Sequence, residues 1–234
     1  MTMHYRDTSA HSLNAKPLQH AALVQSNVSA NKSSSYRGLG KRMLDLTLCV
    51  LIAPFALLLV GIFALLVTRD GGKAFYSQLR VGQGGRTYRM WKLRSMVSDA
   101  DQKLEAHLAQ NAAARAEWNN HQKLKSDPRI TPLGAFMRRA SIDELPQLWN
   151  VVKGDMSLVG PRPMMLSQQA LYPGQDYYDL RPGITGAWQV TDRNQSSFAD
   201  RALFDTDYNR KVSLAEDLRI MFATVRVVLK ATGY

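Results

Sequence analysis

The chain has a single cysteine, Cys49, among 234 residues. One thiol cannot close an internal disulfide, and neither a thiolate metal cluster nor an oxidising compartment is indicated. Set in an apolar run, Cys49 reads as a small core residue. Acidic residues are scarce beside basic ones, 19 against 30, which gives a formal net charge of +11. That imbalance points to an anionic partner and leaves nucleic acid, anionic lipid and phosphorylated substrates all open at this level. A hydrophobic centre near the start is also lacking. Residues 1–37 are rich in Ser, Asn, Ala, Gln and His without sustained apolar periodicity. This stretch predicts a disordered tail and does not fit a secretory signal peptide.

Long apolar runs number one. Lys41-Arg42-Met43-Leu44-Asp45 leads into an almost unbroken apolar stretch from Leu46 to Val67. That is about the ~20 residues needed to cross a ~30 Å hydrocarbon core. Pro54 sits near its middle, where it removes an N–H and crowds the carbonyl of Val50 four residues back, breaking or bending a helix. Each half then reaches only about 15–20 Å at 1.5 Å per residue. Lys41 and Arg42 precede the stretch and Arg69 and Lys73 follow it, and basic flanks prefer the cytoplasmic side. Both ends on that side means a re-entrant hairpin over residues 38–70. On these residues alone a kinked single span is equally open, because spanning helices tolerate proline. A buried soluble helix is a third reading.

The pattern then shortens. Ala74–Val81 and Thr87–Leu93 are rich in aromatic and β-branched residues and flank Gly82-Gln83-Gly84-Gly85, which predicts a β-hairpin. Lys92 and Arg94 form a basic strand end, facing substrate or simply solvated. Residues 98–125 are good helix formers with a thin apolar face (Leu104, Leu108, Trp118), which predicts a surface helix. Asp127-Pro128 stops it, and a short apolar helix from Leu133 to Arg139 follows. Near the end, Leu214, Leu218, Met221, Phe222, Val225, Val228 and Leu229 share one face of a helix over Leu214–Lys230. Such a helix either lies in a membrane headgroup plane or closes a soluble core.

The densest chemistry is in Ala140-Ser141-Ile142-Asp143-Glu144-Leu145-Pro146-Gln147. Ser141 and Glu144 fit a capping box, with Asp143 as a first-turn acid, and this explains both acids without catalysis. The neighbours argue for more. A helix N-terminus attracts phosphate, and Arg138 and Arg139, just before it, carry planar forks that grip phosphate oxygens. An ionised Asp143 in such a place can attack phosphorus, and Glu144 can hold a Mg²⁺ that neutralises a diphosphate. Arg162 is fixed between prolines in Gly160-Pro161-Arg162-Pro163. Arg181-Pro182-Gly183-Ile184-Thr185-Gly186 repeats that theme, and Trp188 through Arg193 adds an aromatic beside polar groups.

Five of these pieces, in order, carry a resemblance: Lys41-Arg42-Met43-Leu44-Asp45, Trp91-Lys92-Leu93-Arg94-Ser95-Met96, Ser141–Gln147, Gly160–Pro163 and Arg181–Gly186. Over residues 38–234 the chain resembles the bacterial sugar transferase family, the monotopic phosphoglycosyl transferases that initiate exopolysaccharide and other glycan assembly. The resemblance implies a re-entrant hairpin marked by Lys41, Arg42 and Pro54. It implies Asp143 as nucleophile on the sugar-linked phosphorus of a UDP-sugar, departure of UMP, and attack on the phosphosugar-enzyme by undecaprenyl phosphate. Glu144 is expected to bind Mg²⁺ and Arg138 and Arg162 to hold phosphate, with Arg139, Lys92, Arg94 and Arg193 as further phosphate contacts. Ala53-Pro54 stands where the family commonly has Ser-Pro, and Ala187-Trp188 departs from the commoner tryptophan position. The latter form is similar to exopolysaccharide galactosyl- and glucosyl-phosphate transferases, which leaves UDP-galactose or UDP-glucose as donor, with galactose favoured.

The expected fold is α+β and mainly helical, with an N-terminal re-entrant membrane hairpin, a small β-hairpin and amphipathic interfacial helices. Residues 71–234 form a catalytic domain on the cytoplasmic face of a bacterial inner membrane, in contact with membrane lipid and with a homodimer left open. Two rivals follow from the residues alone. A membrane-tethered nucleic-acid-binding protein needs a continuous basic stripe and little acid, whereas these arginines cluster beside Asp143-Glu144, so no nucleic-acid partner is expected. A non-catalytic scaffold of polysaccharide assembly needs the hairpin but not Asp143.

Overall fold

The computed structural model describes residues 35–121, 124–191 and 198–229; the predicted tail, up to residue 34, and Arg193 lie outside them. The apolar run forms one 27-residue helix, α1 (Lys41–Val67), entered through a π-helical turn at Tyr36–Gly40. Pro54 sits inside it, and the chain is helical on both sides of the proline. By length and composition this helix can cross a membrane. Its middle is not covered by protein: Val50, Leu51, Phe55, Leu57 and Leu58 are all exposed.

Both ends of α1 are fastened. Lys41 forms a buried ion pair with Asp217, 2.6 Å long, and Tyr36 donates its hydroxyl to the same carboxylate at 2.6 Å. Asp45 accepts from the Ser157 hydroxyl and the Leu158 N–H at 3.1 and 3.0 Å. Arg42 donates to the carbonyls of Val151 and Val152. At the other end Val67 packs with Leu93 and Met137, and Phe63 stacks on Phe136 at 6.0 Å.

The hairpin forms as the aromatic and β-branched runs predict. β1 (Phe75–Val81) pairs antiparallel with β2 (Thr87–Leu93) in register from Phe75↔Leu93 to Val81↔Thr87. The single surface helix expected over 98–125 is instead two, α2 (Ala100–Gln110) and α3 (Ala112–His121). Asn111 leaves helical geometry between them and its side-chain oxygen caps the Ala114 N–H at 3.0 Å. An asparagine with free choice of backbone region is a natural break, and it folds Leu104, Leu108 and Ala114 into one small core.

Helix α4 (Pro132–Arg139) begins as its sequence demands, with Thr131 accepting from the Gly134 N–H and proline in the first turn. α5 (Gln147–Lys153) ends at Gly154, and Arg42 satisfies two of its last carbonyls. Two three-residue strands, β3 (Ser157–Val159) and β4 (Gly183–Thr185), then pair in parallel. α6 (Ala187–Thr191), α7 (Arg201–Lys211) and α8 (Leu214–Leu229) complete the chain.

The β3–β4 pairing joins the two proline-flanked motifs into one unit. Gly160 N–H donates to the Thr185 carbonyl at 2.9 Å and Gly183 N–H to the Pro161 carbonyl at 2.8 Å. A methyl group on Gly160 would stand 2.2 Å from the Arg181 carbonyl oxygen, with backbone and not a movable side chain in the way. Gly160→Ala therefore costs about 3 kcal/mol, the upper range for overpacking, read as a fall in unfolding free energy in detergent.

α8 turns its sides unexpectedly. Asp217 and Ile220 are fully buried and Thr224 bonds to Thr185 at 2.6 Å, while Phe222, Val225 and Leu214 are exposed. Part of the apolar stripe predicted for this helix, at Leu214, Phe222 and Val225, is thus turned away from the protein core, while Met221 packs against it.

Candidate active site

The fold brings the acidic pair to the end of β2. α4 ends at Arg139 and Ser141 follows with φ 56°, the only non-glycine residue of positive φ among the described residues. Its N–H bonds to the Arg138 carbonyl at 3.1 Å, so Ser141 closes α4 rather than opening the next helix. This overturns the capping box: Ser141 makes no side-chain cap, and Ile142–Glu144 is a 3₁₀ turn separated from α5 by Leu145 and Pro146. A left-handed serine costs on the order of 1 kcal/mol or more, and such strain persists where the surroundings over-determine it.

That sharp turn drives Asp143 inward, leaving it 6% exposed. Lys92, on β2, lies between the acids, with Nζ 2.6 Å from Glu144 Oε1 and 4.0 Å from Asp143 Oδ2. Arg138 completes the group, held by a 2.8 Å hydrogen bond from its Nε to the Ser95 hydroxyl. Burial pushes the Asp143 carboxyl above its ordinary range. Lys92 is the largest opposing influence, Glu144 adds to the rise, and Arg138 opposes it.

Three positions keep this arrangement in place, and none was legible as a site residue. Gly134 lets α4 touch the Ser95 backbone, since a methyl there would lie 1.9 Å from the Ser95 carbonyl oxygen. Asn150, fully buried, accepts from Trp91 N–H at 3.1 Å and donates to the Arg89 carbonyl at 2.7 Å, sewing α5 to β2 on the approach to Lys92. Ser95 follows the Lys92-Leu93-Arg94 run and is what Arg138 reaches. Buried amides with every group engaged fix register in this way.

The expected phosphate contacts separate into groups. Lys92 and Arg138 stand with Asp143 and Glu144. Arg94 does not: its guanidinium bonds to Asp70 at 2.5 and 2.7 Å and to the Val67, Lys73 and Met96 carbonyls, clamping the end of α1. Arg139 is exposed. Arg162 lies 5.7 Å from the Trp188 ring. Arg181 donates to the Gly154 carbonyl at 3.1 Å, a structural contact.

No cluster of three or more His, Cys, Asp or Glu side chains suited to a metal occurs among the described residues. Two adjacent carboxylates nevertheless suit Mg²⁺, which is held by one or two carboxylates together with substrate phosphates and water. Glu144 fits that role better than Asp143, being the more exposed of the two side chains (25% against 8%).

A buried Asp143, with Glu144, Lys92 and Arg138 around it, thus stands in a fold that carries one helix long and apolar enough to cross a membrane. The chain belongs to the bacterial sugar transferase family, whose match covers residues 36–231. It is 47% identical over 195 residues to a UDP-galactose-lipid carrier transferase of Erwinia amylovora, covering 82% of this chain and 41% of that protein. It is 44% identical over 212 residues to an undecaprenyl-phosphate galactose phosphotransferase of Salmonella typhimurium, covering 90% of this chain and 44% of the relative. The exopolysaccharide production protein ExoY of Sinorhizobium fredii is 40% identical over 202 residues, with 84% of this chain and 88% of that protein covered. The chain thus spans less than half the length of the first two relatives.

Proposed function

We propose that this chain transfers a hexose 1-phosphate from a UDP-sugar to undecaprenyl phosphate, as a first step of exopolysaccharide assembly. The observation that carries the reading is Asp143, a buried carboxylate with Lys92, Glu144 and Arg138 around it. A carboxylate oxygen of Asp143 attacks the sugar-linked phosphorus, the bond to the bridging oxygen breaks, and UMP leaves with the electron pair. The aspartyl-phosphosugar is then attacked at the same phosphorus by an oxygen of undecaprenyl phosphate. Asp143 departs as a carboxylate and the lipid diphosphate sugar is formed. Lys92 and Arg138 hold phosphate oxygens and stabilise charge that builds in each transition state. Mg²⁺ held by Glu144 would neutralise the diphosphate.

Galactose is the favoured sugar, because relatives at 47% and 44% identity carry galactose in their names. A re-entrant placement of α1 is supported by its two ends. Lys41, Arg42 and Asp45 at one end and Val67 and Phe63 at the other all bind the same folded domain, and the apolar middle stands clear of it. Exposed Phe222 and Val225 on α8, with Phe136 and Trp149, add apolar surface suited to the lipid interface on the cytoplasmic side of the inner membrane. The test is UMP release by detergent-solubilised protein given Mg²⁺, undecaprenyl phosphate and a panel of UDP-sugars. Release with UDP-galactose alone supports the reading, and no release with any sugar from folded protein refutes it.

The proton state of Asp143 gives a second test. Attack requires the carboxylate, and burial holds its pKa above the ordinary 3.8. The acid limb of kcat/KM for UMP release therefore lies above the usual aspartate range. Lys92→Met removes the cation that most favours the ionised form, so the limb moves to higher pH as well as the rate falling. A limb that stays still or moves to lower pH assigns the titration to another group.

A further inference from the structure

A second cationic centre lies apart from Asp143. Arg162, fixed between Pro161 and Pro163, makes no guanidinium hydrogen bond among the described residues and lies over Trp188 at 5.7 Å. Arg201, the first residue of α7, stacks on Trp188 at 4.2 Å and Phe198 at 4.8 Å. Arg80, on β1, donates to the Pro163 carbonyl at 3.4 Å and to Gln78 at 2.6 Å. The Nε groups of both Arg80 and Arg201 are buried without a hydrogen-bond partner among the described residues. No carboxylate stands within 4.0 Å of these three guanidinium groups among the described residues. Asp205 lies in the field of Arg201, yet its contact is the Tyr172 hydroxyl at 2.8 Å.

Such an arrangement is unfavourable as it stands. Burial, and then the neighbouring Arg162, lower the basicity of both Arg80 and Arg201, the latter to about 10. Like charges brought together, with two desolvated donors unpaired, destabilise a fold unless an anion completes them. The location matters too. Antiparallel partners share a face, so Arg80 and Gln78 lie on the same face of the hairpin as Lys92, which pairs with Tyr76. Arg80 and Tyr76 are four residues apart, about 13 Å along a strand, and the Arg80 side chain turns back along that face to Gln78.

We propose that Arg80 and Arg201, with Arg162, form a second phosphate site that receives phosphate oxygens of a substrate whose reacting phosphorus lies at Asp143. The assignment rests on the transfer reading above, and it adds two residues, Arg80 and Arg201, that lie outside the motifs carrying the family resemblance. Planar guanidinium forks around an indole suit an anion attached to a flat or apolar group. The phosphate has two sources, the nucleotide donor and the polyprenyl phosphate acceptor.

The experiment is equilibrium binding to the full chain in detergent at fixed ionic strength, with UDP as one probe and a short-chain polyprenyl phosphate as the other. Arg80→Gln and Arg201→Gln each weaken one probe by about tenfold, the scale of one charged hydrogen bond. Arg115→Gln, a half-buried charge on α3 that faces Glu105 at 3.7 Å, leaves both unchanged and controls for net charge. Trp188 fluorescence responds to the bound probe in the wild type, and less in Arg201→Gln. Should Arg201→Gln fail to fold, Arg201→Lys keeps the charge, loses the planar fork and still weakens binding. Weaker UDP binding alone identifies the donor as the source, and weaker lipid binding alone identifies the acceptor. Unchanged affinity for both probes in folded variants overturns the site. If no UDP-sugar yields UMP while the variants still bind UDP more weakly, the transfer reading fails and the anion site stands.

Discussion

Asp143→Asn lowers UMP release from a UDP-sugar by about 10³-fold or more, the scale of losing a nucleophile. The amide keeps the shape of the site but offers no anionic oxygen to phosphorus. Because Asp143 is buried and faces Lys92 and Arg138, its neutral replacement leaves two cations less compensated, so the fold is tested at the same time. A thermal transition near the wild-type value together with lost turnover separates chemistry from stability. Substantial turnover in a folded Asp143→Asn protein would remove this residue from the bond-making step. Glu144→Gln is the companion variant. It weakens the response to added Mg²⁺ and leaves Asp143 as nucleophile, so its loss is partly recovered at higher Mg²⁺ concentration.

Asp217→Leu destabilises the protein by about 3–5 kcal/mol, the cost of removing one partner of a buried ion pair. Asp217 is fully buried and serves three donors: Lys41 Nζ, the Tyr36 hydroxyl and the Tyr208 hydroxyl, each at 2.6 Å. Without it the Lys41 ammonium is stranded on the first turn of α1, and the link from the apolar helix to α8 is cut. Adding Lys41→Met removes the stranded charge and restores part of the loss, since an apolar pair of similar size is often neutral in place of a buried ion pair. Recovery stays incomplete because two tyrosine hydroxyls still lack their acceptor. Chemical unfolding of the single and double variants in detergent measures both numbers. A double variant no better than Asp217→Leu would show that Lys41 is not the group left uncompensated.

Local chemistry was legible where one segment decides its own structure. The aromatic and β-branched runs around a glycine turn gave the β1–β2 pair within a residue, and the short apolar helix expected from Leu133 to Arg139 forms as α4, one residue longer at its start. The resemblance in five ordered motifs pointed to the family that the comparison then established. Ser141 shows why local reading fails elsewhere. Ser-x-x-Glu is a capping pattern only if serine is extended, and here the end of α4 holds it left-handed. Motif reading did not disclose what Arg94 and Arg162 touch within the fold: Arg94 bonds to Asp70, and Arg162 lies over Trp188. Arg80, Arg201 and Asn150 had no pattern to reveal them, because what makes them notable is what lies beside them in space. The stripe on α8 was visible in sequence, yet only the positions of Asp217, Ile220 and Thr224 disclose which side the protein buries.

The central claim is that Asp143 carries the phosphosugar between donor and acceptor. The direct measurement is intact-protein mass spectrometry after incubation with UDP-galactose and Mg²⁺ in the absence of lipid phosphate. The expected result is a gain of one hexose phosphate, located on the peptide containing Asp143, absent from Asp143→Asn, and removed when undecaprenyl phosphate is added. UMP formed only when the lipid is present, with no adduct on the protein under quenching at early times, would mean direct displacement and remove Asp143 as carrier of the phosphosugar.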